Sequence, residues 1–252
     1  MNDLQKASMW KRISAALCDL IALLIVVAGF SLLLSAAFGY DGHAARLEEI
    51  SEKYETEYKV DFDISQSDFA KLSDDEKAVF KQAMDAFSKD ADANYVYNVL
   101  VNLTFAMITA SVLAASVLLE FLVPLILGNG QTLGKKVFGV AVMREDGIKI
   151  SPMILFVRAI LGKYTVETMI PVFVILMIYW NMIGFPGTLL LIGILVLQLI
   201  LLIKTRERKV IHDVLAHTVT VDFASQRIFD SQEALIEYKK RIHAERVESE
   251  RE

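Results

Sequence analysis

Residues 13–38 read ISAALCDLIALLIVVAGFSLLLSAAF, and this run decides the fold class. It contains one charged side chain, Asp19. Hydrocarbon offers the backbone no hydrogen-bond partners, so a chain crosses it as a helix of roughly 17 to 25 apolar residues. The run exceeds the hydrophobic part of a signal peptide, about 7 to 15 residues, although Ser35-Ala36-Ala37 resembles a cleavage site. Three further apolar blocks follow: 96–127 with Glu120 as its one charge, 166–183 with Glu167 near its start, and 188–203 with none. Gly184-Phe185-Pro186-Gly187 separates the last two, and so short a link predicts an antiparallel hairpin. The composition agrees: 54% of the chain is hydrophobic and 23% charged, with a mean hydropathy of +0.43. Such values coexist when apolar and charged residues are segregated. The single cysteine, Cys18, excludes an intramolecular disulfide and reads as a small buried hydrophobe.

Lysine and arginine set the expected orientation, because they flank the cytoplasmic side of spans. Lys6, Lys11 and Arg12 precede the first block, and Lys204, Arg206, Arg208 and Lys209 follow the fourth. Segment 129–165 carries six basic and two acidic residues, whereas segment 41–95 carries seven basic and fifteen acidic. Both termini are therefore expected in the cytoplasm, with 41–95 on the other side. The chain reads as 1–39 (tail and first span), an acidic extracytoplasmic loop 40–95, a membrane domain 96–223 and a charged cytoplasmic helical tail 224–252.

The acidic loop reads as helical. Ser73-Asp74-Asp75-Glu76 is a capping box, followed by Phe80, Ala83, Met84 and Phe87 at helical spacing. Helices are expected over 74–88 and 44–58. Asp61-x-Asp63-x-Ser65 resembles the start of a calcium loop but fails at Gln66 and Leu72, where glycine and glutamate belong. In the second loop, 137–143 and 148–150 are rich in β-formers around the turn Arg144-Glu145-Asp146-Gly147. Residues 216–222 (AHTVTVD) read as a third strand on that hairpin. An amphipathic stretch, 152–164, places Arg158 and Lys163 at the lipid headgroups. The fold class is thus an all-α membrane protein with four transmembrane helices, a small cytoplasmic three-stranded element and a helical outer loop. No internal repeat is legible.

With these residues in view, the chain resembles the RDD family of bacterial membrane proteins. Arg12 and Asp19 in KRISAALCDL and Asp213 in VIHDVLAHTVTVD match its defining arginine and two aspartates. GNGQTLGKKVFGVAV (128–142) resembles its Gly-Gln-Thr-Leu-Gly-Lys stretch, and Arg158 also matches. The resemblance covers 9–39 and 96–223. It implies a bacterial cell membrane, and among members described as acting, sodium– or lithium–proton antiport; other members are fused to regulatory or binding domains.

Asp19 is the strongest functional signal, since an acid inside a span costs about 2.5 to 3.5 kcal/mol on insertion scales. Arg12, two turns earlier on the same helix, is about 10.5 Å away along the axis, too far to pair directly, and is expected to reach lipid phosphate. Glu120 falls at a similar depth, roughly 10 Å from the inner end of its span. Asn102, Thr109, Ser116 and Glu120 follow one another at helical spacing as a polar stripe, beside a small-residue stripe of Ala106, Ala110 and Ala114. Asp19 and Glu120, with Glu167, are the candidate proton- or cation-binding carboxylates, because close carboxylates share protons. The rival reading is a buried polar cluster that fixes helix register. Asp213 is expected to cap amides or to pair with Lys135, Lys136 or Arg158.

Other constellations argue against further chemistry. His212-Asp213 has no nucleophile at a fixed spacing, and His212 and His217 are five apart, poor for one metal. Gly130-x-x-x-Gly134-Lys135 is a residue short of a phosphate loop, with Lys136 where a magnesium-binding hydroxyl belongs. No enzyme, cofactor, metal, nucleotide or nucleic acid is expected. The leading function is exchange of protons for monovalent cations by Asp19 and Glu120. Arg12 and Asp213 would hold the inner gate, and a homo-oligomer would supply room for alternating access. The alternative is a scaffold or regulatory membrane protein that docks partners without transport.

Overall fold

The computed structural model describes residues 5–249. Four helices are long and apolar enough to cross a membrane: α1 (Met9–Phe38), α5 (Ala91–Leu127), α7 (Pro152–Tyr179) and α8 (Gly184–Lys204). Between them lie α2 (Tyr40–Tyr58), α3 (Gln66–Lys71), α4 (Asp74–Lys89) and the short α6 (Leu133–Val137). The chain continues with a second short helix, α9 (Ile211–Leu215), and ends in α10 (Gln232–Ser249). Two strands, β1 (Val140–Arg144) and β2 (Thr218–Asp222), complete the order. The spanning helices turn large apolar side chains outward, among them Leu24, Ile25, Leu32, Leu195 and Ile203. This inverts a water-soluble pattern and suits lipid as solvent.

Two compact units are formed, one of Ala28–Ser111 and one of the remaining described residues. In the first, α2, α4 and the start of α5 bury Ile50, Ala93, Val96 and Leu100, with Tyr54 and Phe87 packed against them. The Ser73 capping box opens α4 with both reciprocal bonds present, and α3 adds Phe69 edge-on to Phe80 at 5.0 Å. Asp61 accepts the Asp63 amide at 2.8 Å, as in a simple turn. The outer parts of the expected polar and small-residue stripes of α5 are not packing surfaces, although Ser116 and Glu120 further along are buried. Asn102, Ala106 and Ala110 are exposed, and Thr109 donates to the Phe105 carbonyl of its own helix. Ser111 is the buried neighbour, and it accepts a hydrogen bond from Ser31 at 3.0 Å.

Three boundaries differ from expectation. The reversal before α8 uses 180–183, with Asn181 at φ +57. Gly184 to Gly187 instead form the first turn of α8, where proline removes an amide that has no helical partner anyway. The amphipathic stretch 152–164 is continuous with the third span, so α7 begins at Pro152 with Ser151 as its cap. Most of its first half, Val157–Met169, is wound as wide π-helical turns, as is Val117–Leu122 of α5. Thr165 and Thr168 donate to carbonyls five residues back, following the wider pitch.

The sheet is two-stranded, with β1 and β2 antiparallel and Val142 opposite Thr220. The expected hairpin partner 148–150 makes isolated bridges only, Met143 to Lys149 and Ile148 to Phe229. Ser151 already caps α7, so the chain has no length left for a ladder. Lys6 bridges Val221 on the other edge.

The structure also contains a repeat. The path α6–β1 and the path α9–β2 correspond residue for residue, Thr132 with Val210 through Arg144 with Asp222. Each short helix ends at a residue near φ −93 in its pair, Phe138 at −92 and Ala216 at −95. Each then turns through a positive φ, Gly139 at 64 and His217 at 50, before its strand. A positive φ also precedes each helix, at Gly130 (59) and Arg208 (53). The hydrogen bonds repeat: Phe223 N–H donates to Gly139 O at 2.9 Å, and Glu145 N–H to His217 O at 3.3 Å. The antiparallel ladder is therefore a local two-fold relating two copies of short helix, turn and strand.

Candidate functional site

Each short helix is docked by a carboxylate from a spanning helix. Thr132 caps α6, accepting the Lys135 amide. Asp19 of α1 accepts the Thr132 hydroxyl at 2.5 Å and the Gly134 amide at 2.8 Å. At α9, Glu167 of α7 accepts the His212 amide at 2.9 Å and faces His212 Nδ1 at 2.7 Å. Gln198 of α8 accepts the Ile211 amide at 3.0 Å. Unpaired amides at a helix start favour anions, which is the physical basis of both contacts. Close approach is secured by glycine each time. A Cβ on Gly134 would overlap the Ala15 carbonyl oxygen, and one on Gly162 of α7 would lie 2.6 Å from His212 Cβ.

Asp213 is buried on α9, 1% exposed. Its Oδ1 accepts Arg158 Nε at 3.1 Å, Arg158 Nη2 at 2.9 Å and the Thr218 hydroxyl at 3.2 Å. Arg12 Nη2 stands 3.7 Å from Oδ2, and that oxygen has no hydrogen-bond partner. Burial alone pushes this carboxyl up, but the Arg158 charge, with His212 and Arg12, holds it well below the usual range. Burial lowers His212, with Arg158 adding to the effect, which favours the neutral ring, and its Nδ1 faces Glu167. Glu120, on the π-helical part of α5, pairs with Lys163 of α7.

A cavity of about 300 Å³ opens between these elements. Its charged lining comprises Arg12 and Asp19 from α1, Lys135 from α6, Arg158, Lys163 and Glu167 from α7, and His212 and Asp213 from α9. A sequence model described as the RDD family matches residues 6–217. The chain belongs to the RDD family. No curated protein and no solved structure matches it. The arginine and two aspartates in which the chain resembles that family have distinct places in this RDD protein. Arg12 and Asp213 meet across the cavity, whereas Asp19 holds α6.

Several expectations are corrected by this geometry. Glu120 and Asp19 share no hydrogen bond; Glu120 is taken by Lys163, and Ser116 is buried without joining Asp19. Arg12 faces Asp213 rather than lipid phosphate. Arg158 and Lys163 point into the protein, with Arg158 only 4% exposed, because the π-helical turns carry them to the face where Asp213 and Glu120 wait. Among Lys135, Lys136 and Arg158, it is Arg158 that pairs with Asp213. Glu167 lies in the cavity but serves α9. Among the described residues no cluster of His, Cys, Asp and Glu could hold a metal ion. Sequence reasoning missed Gln198 and Gly162. Gln198 is the one amide side chain in the 188–203 block, and that isolation was its available signal. Gly162 had none, since its partner lies fifty residues away in α9.

Proposed function

We propose that this RDD protein binds a monovalent cation at the Asp19 wall of the cavity and exchanges it for a proton across a bacterial cell membrane. One observation carries the reading. Asp19 is a buried carboxylate inside an apolar span, 7% exposed, whose hydrogen-bond donors are the neutral Thr132 hydroxyl and Gly134 amide. No basic group lies within ion-pair distance of it among the described residues. A carboxylate so placed favours a cation, because no ion pair compensates its charge in a low dielectric. The two related halves supply the kind of element that rocks about a shared site in transporters built from repeats. The basic flanks favour a cytoplasmic position for both termini, and assembly into a homo-oligomer would enlarge the moving interface. No catalytic role is assigned.

The test is flux in proteoliposomes with sodium or lithium pulses, read by an internal pH dye. Wild type should acidify or alkalinise with the direction of the cation gradient. Asp19→Asn keeps an acceptor for the Gly134 amide but removes the charge, and should abolish the signal. Glu120→Gln should retain most of it. Unchanged flux in Asp19→Asn would overturn the reading, and no flux from folded wild type would favour the scaffold alternative.

A further inference from the structure

The cavity's lysines and arginines pair off with one exception among the described residues. Arg12 and Arg158 flank Asp213, Lys163 holds Glu120, and His212 faces Glu167. Lys135 enters none of these pairs, although it lines the same cavity as Asp19. The two-fold makes its position informative. Lys135 occupies in α6 the place that Asp213 occupies in α9. Asp213 is locked between two arginines, whereas its counterpart has the opposite sign and no lock. Among the described residues the cavity therefore holds a carboxylate, Asp19, and an ammonium, Lys135, that both stand outside any ion pair.

We propose that Lys135 is the proton-carrying group of the exchange: it gives up its ammonium proton when a cation occupies Asp19, and regains it when the cation leaves. The proposal rests on the cation-exchange reading above. The balance is one for one. The N–H bond of the ammonium breaks, its electron pair stays on Nζ as a neutral amine, and the proton goes to water. The arriving monovalent cation restores the charge that departs. No other co-reactant is needed.

The surroundings suit this role. Arg158 and Lys163 face Lys135 from α7, Glu120 from α5 and Asp19 from α1. Burial and the two like charges weaken the ammonium, while the two carboxylates support it, and the balance lowers Lys135 to about 8. Proton loss then falls within reach of neutral pH. A cation placed beside Asp19 would cancel part of the carboxylate's support and add a like charge, so the two occupancies exclude one another by electrostatics.

The decisive measurement is proton release from purified wild-type protein when sodium or lithium chloride is added. Titration calorimetry in two buffers of different ionisation enthalpy counts the protons. Wild type should release about one proton per cation at pH 7 and about half a proton near pH 8, and its apparent affinity should rise about tenfold per pH unit below pH 8 and then level. Lys135→Gln should bind the cation with no pH dependence between 7 and 9 and release no proton. Lys135→Arg keeps a permanent charge; it should bind at least tenfold more weakly than wild type at pH 9 and release none. Should Lys135→Gln not fold, the arginine variant alone decides. Wild-type-like proton release from the folded variants would overturn the assignment and leave cation exchange standing. A wild type that binds neither sodium nor lithium would remove the exchange reading, and this assignment with it.

Discussion

Segments 132–144 and 210–222 trace the same path with no identical residue at any paired position. What they share is a pattern of conformational needs: a short helix, a left-handed turn residue and a buried strand. What differs is how each is fastened. The first is held by neutral donors on Asp19. The second is held by a histidine and amide on Glu167, and by the arginine clasp on Asp213. A shared backbone with divergent charge is the expected outcome when packing geometry, rather than individual side chains, specifies the path. Charge was then free to specialise, one half locked and one half open.

The comparison breaks hardest at Asp213. Asp213→Asn leaves Arg158 buried without a counter-charge and should cost about 3 to 5 kcal/mol, read as a fall in thermal midpoint in detergent. Arg158→Met with Asp213→Leu removes both charges and should recover most of the loss. The same pair gives a pH test. The Asp213 carboxyl is held below its ordinary value in the folded state. Its stabilisation is therefore present above the unfolded value of about 3.9 and is lost as pH falls through the lower, folded one. The double variant should lack that component of acid unfolding.

Next come the glycines. Gly134→Ala drives a methyl into a backbone oxygen of α1, which cannot rotate away, and should cost about 3 kcal/mol, the upper part of the overpacking range. Gly162→Ala meets His212 Cβ at 2.6 Å and its backbone Cα at 2.8 Å, so α9 must shift as a unit, and because these approaches are less close than that at Gly134 the cost should be lower, about 2 kcal/mol. If the two variants unfolded at the same temperature, the halves would be fastened more alike than their geometry indicates.

The smallest effect sharpens the likeness itself. Gly139 and His217 hold the same left-handed turn, which costs a side-chain-bearing residue about 1 kcal/mol. His217→Gly should raise the thermal midpoint slightly, and Gly139→Ala should lower it by a similar amount. A shift of the opposite sign at either place would argue that the two turns are not equivalent.

Much of this protein was legible before its structure. The four apolar blocks, two of the three helices within 40–95, the Ser73 cap and the choice of Asp19 follow from hydrophobic length, capping chemistry and the cost of charge in hydrocarbon, whereas Asp213 was marked by the family resemblance. The RDD stretch 128–142 was readable as a unit, though its role as the dock for Asp19 was not. The repeat was invisible, because it is written in φ values shared by Gly139 and His217 and not in shared residues. The site also eluded helical spacing, since Glu120, Arg158, Lys163 and Glu167 lie in π-helical turns where a period of 3.6 no longer tells which way a side chain points.

By itself, the sequence determined the solvent: apolar runs of that length demand lipid wherever the chain goes. Only the tertiary structure decided the partners. Which buried charge meets which depends on distances between segments far apart in the chain. In a low dielectric those distances separate a locked carboxylate such as Asp213 from an open one such as Asp19.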